Sequence, residues 1–411
     1  MEKKIRIALI GCGRRSSAWL RTIQLVEDLE LVAICDMIEP RVRERMGQLG
    51  NKDIACFTDH RKLMKELDFD AAAIVTEPEF QAPLSIEFMK AGKDVISEVP
   101  VTYSIDECWD LVLTVERTGR LYYLGEQVRH SPMAIRWREM VQSGKLGKIL
   151  FAEGHYLHGM TEERFWIDPV TGKMLNWQDA AGNPNAVKSR FWSLANPILY
   201  APHELSPLLK VLDDRVVKVS CFSTRTNSYR MEEVPFAGLN QPVSIPDLQV
   251  AMMHTEKDTI IRFAAGFSVP VSENHWYHLF GTKGEIETRR GKGESDRQYF
   301  CDFPLIRKND SNFERSVAEW TFEENSIQRQ IAAKTGHDGL DYWPVYDFAQ
   351  VLLGRKPVPD INVYQAVETA APVIMAVESL KHGGALREVP DFRLGTARKT
   401  GQDPRTINIR K

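Results

Sequence analysis

Five short apolar runs in the first ~125 residues constrain this chain more than anything else in it. They read IRIALIG (5–11), LVAIC (31–35), AAAIV (71–75), DVISE (94–98) and LYYLG (121–125). Each is continuous rather than alternating, the pattern of strands buried on both faces. Amphipathic stretches separate them, such as PLSIEFMKAG (83–92), where Gly92 closes a helix at the expected cap position. A β-α-β-α order of this kind calls for an α/β, doubly wound parallel sheet of the Rossmann type.

The pattern changes after Leu146. ILFAEGHYLHG (149–159) alternates, and VVKVSCFST, LQVAMMHT, TIIRFAAGF and WYHLFGTKGEIETRR follow, the last around a GTKG turn at 281–284. These runs predict a mostly antiparallel open sheet with one covered face. Residues 160–198 are irregular and rich in Trp, Asn and Pro, as a binding loop would be. Helical pattern returns near residue 340 in YWPVYDFAQVLLG and VYQAVETAAPVIMAVESLKHGG. The expected division is a nucleotide domain over 1–127, an α+β sheet domain over 128–345, and helices with a tail over 346–411 that pack back on the chain.

Composition narrows the function classes. Of 411 residues, 43% are hydrophobic and 27% charged, enough for a sizeable core, and the net charge of -3 comes with no basic run. Nucleic acid is therefore not an expected partner. No apolar run is long enough for a membrane span, and the first strand follows the initial Met too closely for a signal peptide. The six cysteines show no CxxC pairing. A reduced, cytoplasmic protein is expected.

LIGCGRRSS places Gly11 and Gly13 between the first strand and a helix. Glycines there permit a tight turn and let a pyrophosphate approach the backbone, and the helix N-terminus supplies N–H donors. Ser16 stands where the usual motif has its third glycine. Asp36 ends the second strand, the place of a carboxylate that binds adenosine ribose hydroxyls, which favours NAD over NADP. Arg14, Arg15 and Arg41 argue the other way, since they could meet a 2′-phosphate. Thr76, Glu98 and Glu126, each at the end of an apolar run, complete the expected cofactor set. Glu98 is expected on the ribose or carboxamide side.

Taken together, LIGCG, ICDMIEPR, AAAIVTEPEFQAPLSIEFMKAGKDVISEVP and GKLGKILFAEG resemble the Gfo/Idh/MocA oxidoreductase family, which acts mainly on sugars and cyclitols. Two of that family's usual features are altered. Its Glu-Lys-Pro corner is Glu98-Val99-Pro100 here, and NPILYAPHELSPLLKVLDD keeps His203 but has Leu199 and Ser206 at the acidic positions. EVPVTYSIDECWDLV, EGHYLH (153–158), LYAPH (199–203), GHDGLDY (336–342), INVY and EVPDF are most similar to one branch, the NAD-dependent glycosidases of glycoside hydrolase family 109. Glu204 and Asp338 stand where that branch's pattern has glycine, and 160–198 and 225–247 match it poorly.

The resemblance implies hydrolysis without net redox. Enzyme-held NAD takes hydride from C3 of a glycoside, a base removes the acidified C2 proton, the aglycone leaves, water adds and the hydride returns. Tyr156, Tyr200 and His203 are the expected acid–base residues. The strand over 149–159 puts Tyr156 on one face with Ala152, Gly154 and His158, and His203 falls in the polar first turn of a helix that Pro202 can open. His158, Arg190, His337 and Asp341 are the expected sugar-binding residues. His254, His275 and His278 read as structural histidines without metal spacing; no metal is expected. The partner is a small glycoside or sugar, and a homo-oligomer through the C-terminal sheet is expected. Two rival readings remain: an NAD(P)-dependent sugar or cyclitol dehydrogenase with a rearranged base, and a non-catalytic dinucleotide sensor.

Overall fold

The computed structural model describes residues 4–50, 53–158, 166–168, 173–175, 177–183, 186–188, 196–225, 246–267, 269, 275–288, 296–300, 314–318, 326–395 and 398–406. Six strands form the first sheet: β1 (Ile5–Ile10), β2 (Leu29–Cys35), β3 (Ala55–Phe57), β4 (Ala71–Ile74), β5 (Asp94–Ser97) and β6 (Tyr122–Leu124). Their order is β3-β2-β1-β4-β5-β6 and every pairing is parallel. The order reverses beside β1, the crevice where open α/β sheets bind their ligands. Helices α1 (Ser16–Leu25), α2 (Glu39–Leu49), α3 (His60–Glu66), α4 (Pro78–Lys90) and α5 (Ile105–Thr118) connect the strands. Ile7, Leu9, Ala72, Ala73, Val95 and Ile96 are wholly buried, as the continuous apolar runs require.

One helix starts earlier than its periodicity suggests. α4 begins at Pro78, and Pro83, which reads as a start signal, lies inside it. A proline near a helix start removes only one ladder bond, so the helix runs through it.

The second sheet has nine strands. After α6 (Pro132–Gln142) come β7 (Ile149–Leu157) and three two-residue strands, β8 (Trp166–Ile167), β9 (Met174–Leu175) and β10 (Val187–Lys188), with α7 (Trp177–Ala181) among them. Part of the stretch expected as irregular thus forms a small sheet of its own. Next are α8 (Pro202–Leu212), β11 (Val216–Ser223), β12 (Gln249–Thr255), β13 (Ile260–Gly266), β14 (His275–Gly281), β15 (Gly284–Glu287), β16 (Asp296–Phe300) and β17 (Glu314–Ala318). α9 (Ile327–Ala332), α10 (Tyr342–Leu352), α11 (Val363–Lys381) and β18 (Arg387–Glu388) complete the chain. The large sheet runs β17-β16-β15-β14-β7-β13-β12-β11-β18. Neighbours are antiparallel except β7 and β13, which pair in parallel.

One face of this sheet is covered. α8 packs on β7 at Gly154, where an added Cβ would sit 3.2 Å from Glu204 Cβ and from Leu208 Cδ1. All eleven residues of α8 are buried. The other face carries Phe222, Met252 and Phe280, each at least 40% exposed. α11 packs against β11 and α5, joining the two sheets from the C-terminal side.

Candidate active site

The turn after β1 is fixed by close approach. Gly11 has φ +102°, and a Cβ there would lie 2.2 Å from the Val75 carbonyl oxygen; only glycine fits. Thr76 lies against the same spot. A Cβ on Gly13 would meet nothing within 4 Å, so this side of the turn is open to a ligand at the start of α1. Ser16, in the third glycine's place, turns inward and donates to the Gly13 carbonyl at 2.5 Å. Asp36 accepts from Cys12 N–H at 2.7 Å and Ile38 N–H at 2.8 Å, and Arg41 lies 3.9 Å away. Its remaining lone pairs suit ribose hydroxyls. The residues present therefore fit a dinucleotide: an open glycine turn, a helix N-terminus and a strand-end carboxylate. Arg14 is exposed. Arg45 carries no motif signal, yet it is buried and braces the turn, donating to Ser16 Oγ at 2.9 Å and to the Gly13 carbonyl at 3.1 Å.

Two expected cofactor ligands sit elsewhere. Arg15 is held by carboxylates: Nε donates to Glu98 at 2.9 Å, and Nη1 and Nη2 grip Asp341 at 2.9 and 2.8 Å. Glu98 is correspondingly enclosed, accepting also from Trp19 Nε1 at 2.8 Å. Asp341 was expected to bind substrate, but its carboxylate is buried and occupied by Arg15 and by His337 Nδ1 at 2.8 Å. Burial alone would raise the Asp341 carboxyl; hydrogen bonds from His337 and Arg15, with the Arg15 charge, hold it well below the usual carboxylate range. His337 keeps half its side chain exposed. His337 and Asp338 both adopt positive φ, at 49° and 54°. Asp is among the few side chains that tolerate this region, so it can replace a glycine there. The peptide bond between Val99 and Pro100 is cis.

The third expected cofactor ligand, Glu126, has a different partner. It is wholly buried just past β6, and its Oε2 lies 2.9 Å from His203 Nδ1. His203 is not a surface residue of a polar turn but 6% exposed. Burial disfavours its imidazolium, and Glu126, helped by Glu204 and Glu98, more than reverses this, so the His203 pKa is raised. Pro207 changes what the His203 backbone can bond. Lacking an N–H, it leaves the His203 carbonyl without its helix bond. Tyr277 fills the gap, donating its hydroxyl to that carbonyl at 3.2 Å.

Around His203 the strands assemble an aromatic cluster. The Tyr156 ring lies 4.4 Å from His158, 5.5 Å from His203, 5.4 Å from His275 and 5.5 Å from Tyr200. Tyr156 and Tyr200 are buried. The covered face of β7 puts Tyr156 over Gly154, and β14 places His275 directly opposite it in register. His275 is therefore not a remote structural histidine; its Nδ1 contacts buried Glu204 in α8. Burial pushes the Glu204 carboxyl up to about 7, against the pull of His275 and His203. His254 and His278 lie apart from this cluster, each beside an exposed or half-buried acid. Arg190 lies outside the described residues. No group of acids, Cys and His among the described residues is arranged to hold a metal.

An open glycine turn on a parallel sheet, with a carboxylate ending the second strand, is the setting of an NAD-dependent enzyme. The model of the oxidoreductase family with an NAD-binding Rossmann fold matches residues 5–126, and that of the glycosyl hydrolase 109 C-terminal domain matches residues 132–399. The chain belongs to glycosyl hydrolase family 109. A glycosyl hydrolase family 109 protein of Saccharopolyspora erythraea is 27% identical, covering 96% of this chain and 84% of its own. One from Solibacter usitatus is 26% identical, covering 95% and 89%. Among solved structures, an oxidoreductase domain protein from Kribbella flavida superposes with a TM-score of 0.69 at 19% identity, covering 94% of this chain and all of that one. The WlbA dehydrogenase from Bordetella pertussis, in complex with NADH and UDP-GlcNAcA, gives 0.65 at 17% identity over 94% and 99%. These two share the fold.

Proposed function

We propose that this chain cleaves glycosides with NAD bound throughout, by proton chemistry at C2 of the sugar. The observation that carries this reading is Tyr156, ringed by three imidazoles and backed by the buried Glu126–His203 pair. The turn at Gly11 and Gly13, the N-terminus of α1, Thr76 and Asp36 hold the cofactor. When bound, NAD accepts hydride at C3 and returns it at the end, so that the intervening ketone acidifies the C2 proton. Tyr156 is the group that takes that proton. A positioned base of this kind contributes about 10²–10⁴-fold. His203, whose pKa Glu126 raises, faces the developing oxyanion together with Tyr200. His158, Arg190 and the exposed edge of His337 contact the sugar. Val99 keeps the corner beside the nicotinamide apolar.

Two carboxylates spaced across a scissile bond are not required for this route, unlike direct glycoside hydrolysis. The test is a panel of nitrophenyl glycosides offered to protein purified without added NAD. Aglycone release with many turnovers per bound cofactor supports the reading; absence of release with every sugar removes it. The second reading, net sugar oxidation, draws on dehydrogenase neighbours of the same fold, and differs by accumulating NADH.

Three coarser features go with this proposal. The nucleotide domain ends at residue 127, the sheet domain runs over 128–345 and the helical tail over 346–411. A second copy of the chain covers the open sheet face at Phe222, Met252 and Phe280, giving a homo-oligomer that light scattering would detect. No described helix is long and apolar enough to cross a membrane, and Cys12, Cys35, Cys56, Cys108 and Cys221 carry free thiols, in keeping with a cytoplasmic protein.

A further inference from the structure

Breaking a glycosidic bond by elimination has two separate proton needs. One base must take the C2 proton, and one acid must meet the aglycone oxygen as it leaves. Tyr156, with the Glu126–His203 pair behind it, answers the first. The cluster around Tyr156 holds a second carboxylate–imidazole pair that this role does not use. Glu204 is wholly buried in the first turn of α8, while the side chain of His275, on β14, is 37% exposed. Glu204 Oε1 contacts His275 Nδ1. Glu204 Oε2 accepts no hydrogen bond among the described residues. Glu204 thus occupies Nδ1 of the half-exposed ring, and Nε2 is the nitrogen left for a ligand. Register fixes the ring's place: His275 pairs with Tyr156 across β14 and β7. Its centroid lies 5.4 Å from Tyr156 and 5.9 Å from His158.

Glu204 also stands where the pattern of this family's branch has glycine. A glycine there would leave His275 without its carboxylate. The exchange is possible because the neighbour on β7 is itself a glycine: Gly154 leaves room for the Glu204 Cβ. A buried carboxylate with one oxygen unbonded costs stability, and is retained here beside the reacting groups.

We propose that His275 is a further catalytic residue, the acid that protonates the departing aglycone, and that Glu204 is its positioning residue. The proposal rests on the glycosidase reading above. As the C2–H electrons form the C1–C2 double bond, the C1–O bond breaks and its electron pair leaves on the aglycone oxygen. His275, as imidazolium, gives that oxygen its Nε2 proton and becomes neutral. It then takes a proton from the water whose oxygen adds to C1, while C2 regains a proton from the Tyr156 side. Atoms and protons return to their starting count. The groups facing Glu204 are His203 on α8, Glu126 beyond β6, Tyr156 on β7, and His275 and Tyr277 on β14. Of these, His275 and His203 oppose the effect of burial, which leaves the Glu204 carboxyl at about 7. Tyr277 is no rival acid at neutral pH, because burial, with Glu204 and Glu126 nearby, raises its hydroxyl well above the ordinary range.

The experiment compares leaving groups. An alkyl glycoside needs an acid for its aglycone; a nitrophenyl glycoside, whose leaving group is a weak base, needs it far less. His275→Asn is expected to lower alkyl glycoside turnover by about 10²-fold or more, the usual general-acid contribution. Nitrophenyl turnover should fall by less than ~10-fold. Bound NADH fluorescence reports whether the variant still folds and holds cofactor. Glu204→Gln should likewise lower alkyl glycoside turnover while largely sparing nitrophenyl turnover, because the ring loses the carboxylate that orients it. Equal losses on both substrates in either variant would overturn the proposal and leave a structural role. A wild-type protein that releases no aglycone and accumulates NADH would instead sink the glycosidase reading, and the acid role with it.

Discussion

Two carboxylate networks in this molecule use the same residue types to opposite ends. In the first, Glu98 and Asp341 share Arg15, with Trp19 and His337 supplying further donors. Cationic and N–H partners meet both carboxylates, and Asp341 is held far down the acid side. Such a network clamps the segment before α10 onto the start of α1 and has no reason to move a proton near neutrality. In the second, Glu126 and Glu204 are wholly buried beside histidines rather than a permanent cation, and Glu126 also accepts from Val128 N–H at 2.8 Å. His203 is raised and Glu204 is raised to about 7, and no permanent cation fixes the charge of either carboxylate there. Saturation by a permanent cation separates a clamp from an acid–base site.

The largest effect expected from this contrast is on the clamp. Arg15→Met leaves two buried carboxylates without their cation and should lower unfolding free energy by ~3–5 kcal/mol in a urea titration. The sign of its pH dependence follows from Asp341. A depressed folded pKa contributes stability above the unfolded value near 3.9 and loses it as pH falls further. The gap between wild type and Arg15→Met should therefore close in acid. A loss below ~1 kcal/mol at neutral pH would mean that the clamp adds little.

Next are the acid–base residues. Tyr156→Phe and His203→Ala should each lower turnover by about 10²-fold or more, equivalent to about 2.7 kcal/mol of transition-state stabilisation. NAD binding should remain intact in both, because neither residue belongs to the glycine turn. Unchanged rates in both variants would remove them from the chemistry.

How much of this was legible beforehand depended on range. The apolar runs place β1, β2, β4, β5 and β6 to within two residues at either end, because a strand buried on both faces writes itself locally. Gly11, Gly13 and Asp36 were visible for the same reason: a turn and a strand end are local events. The Arg15–Asp341 clamp joins positions 326 residues apart, and the Glu204–His275 contact joins positions 71 apart. Neither leaves a local pattern, so Arg15 read as a phosphate ligand and His275 as a scattered structural residue. Arg45 is the plainest case. On sequence it is one more charge on an amphipathic helix, and only the turn of the chain over α2 brings it onto the Gly13 carbonyl.

The smaller effects refine the comparison. Asp36→Ser should weaken NAD by roughly 1.5–3 kcal/mol, the scale of a hydrogen bond to a charged group, readable by calorimetry. Glu204→Gln tests the second network through stability rather than rate. A carboxyl raised from 4.5 to about 7 on folding makes wild type lose stability as pH climbs through that window. The Gln variant should lack this slope, and a retained slope would assign it to another group.

The central claim is that protons move at C2 while no net redox occurs. Let the protein turn over a glycoside in deuterium oxide with its bound NAD alone, reading NADH absorbance and the product's NMR spectrum together. The account predicts many aglycones released per cofactor, no accumulating NADH, and deuterium at C2 of the product. Stoichiometric NADH with an oxidised sugar and hydrogen retained at C2 would contradict it.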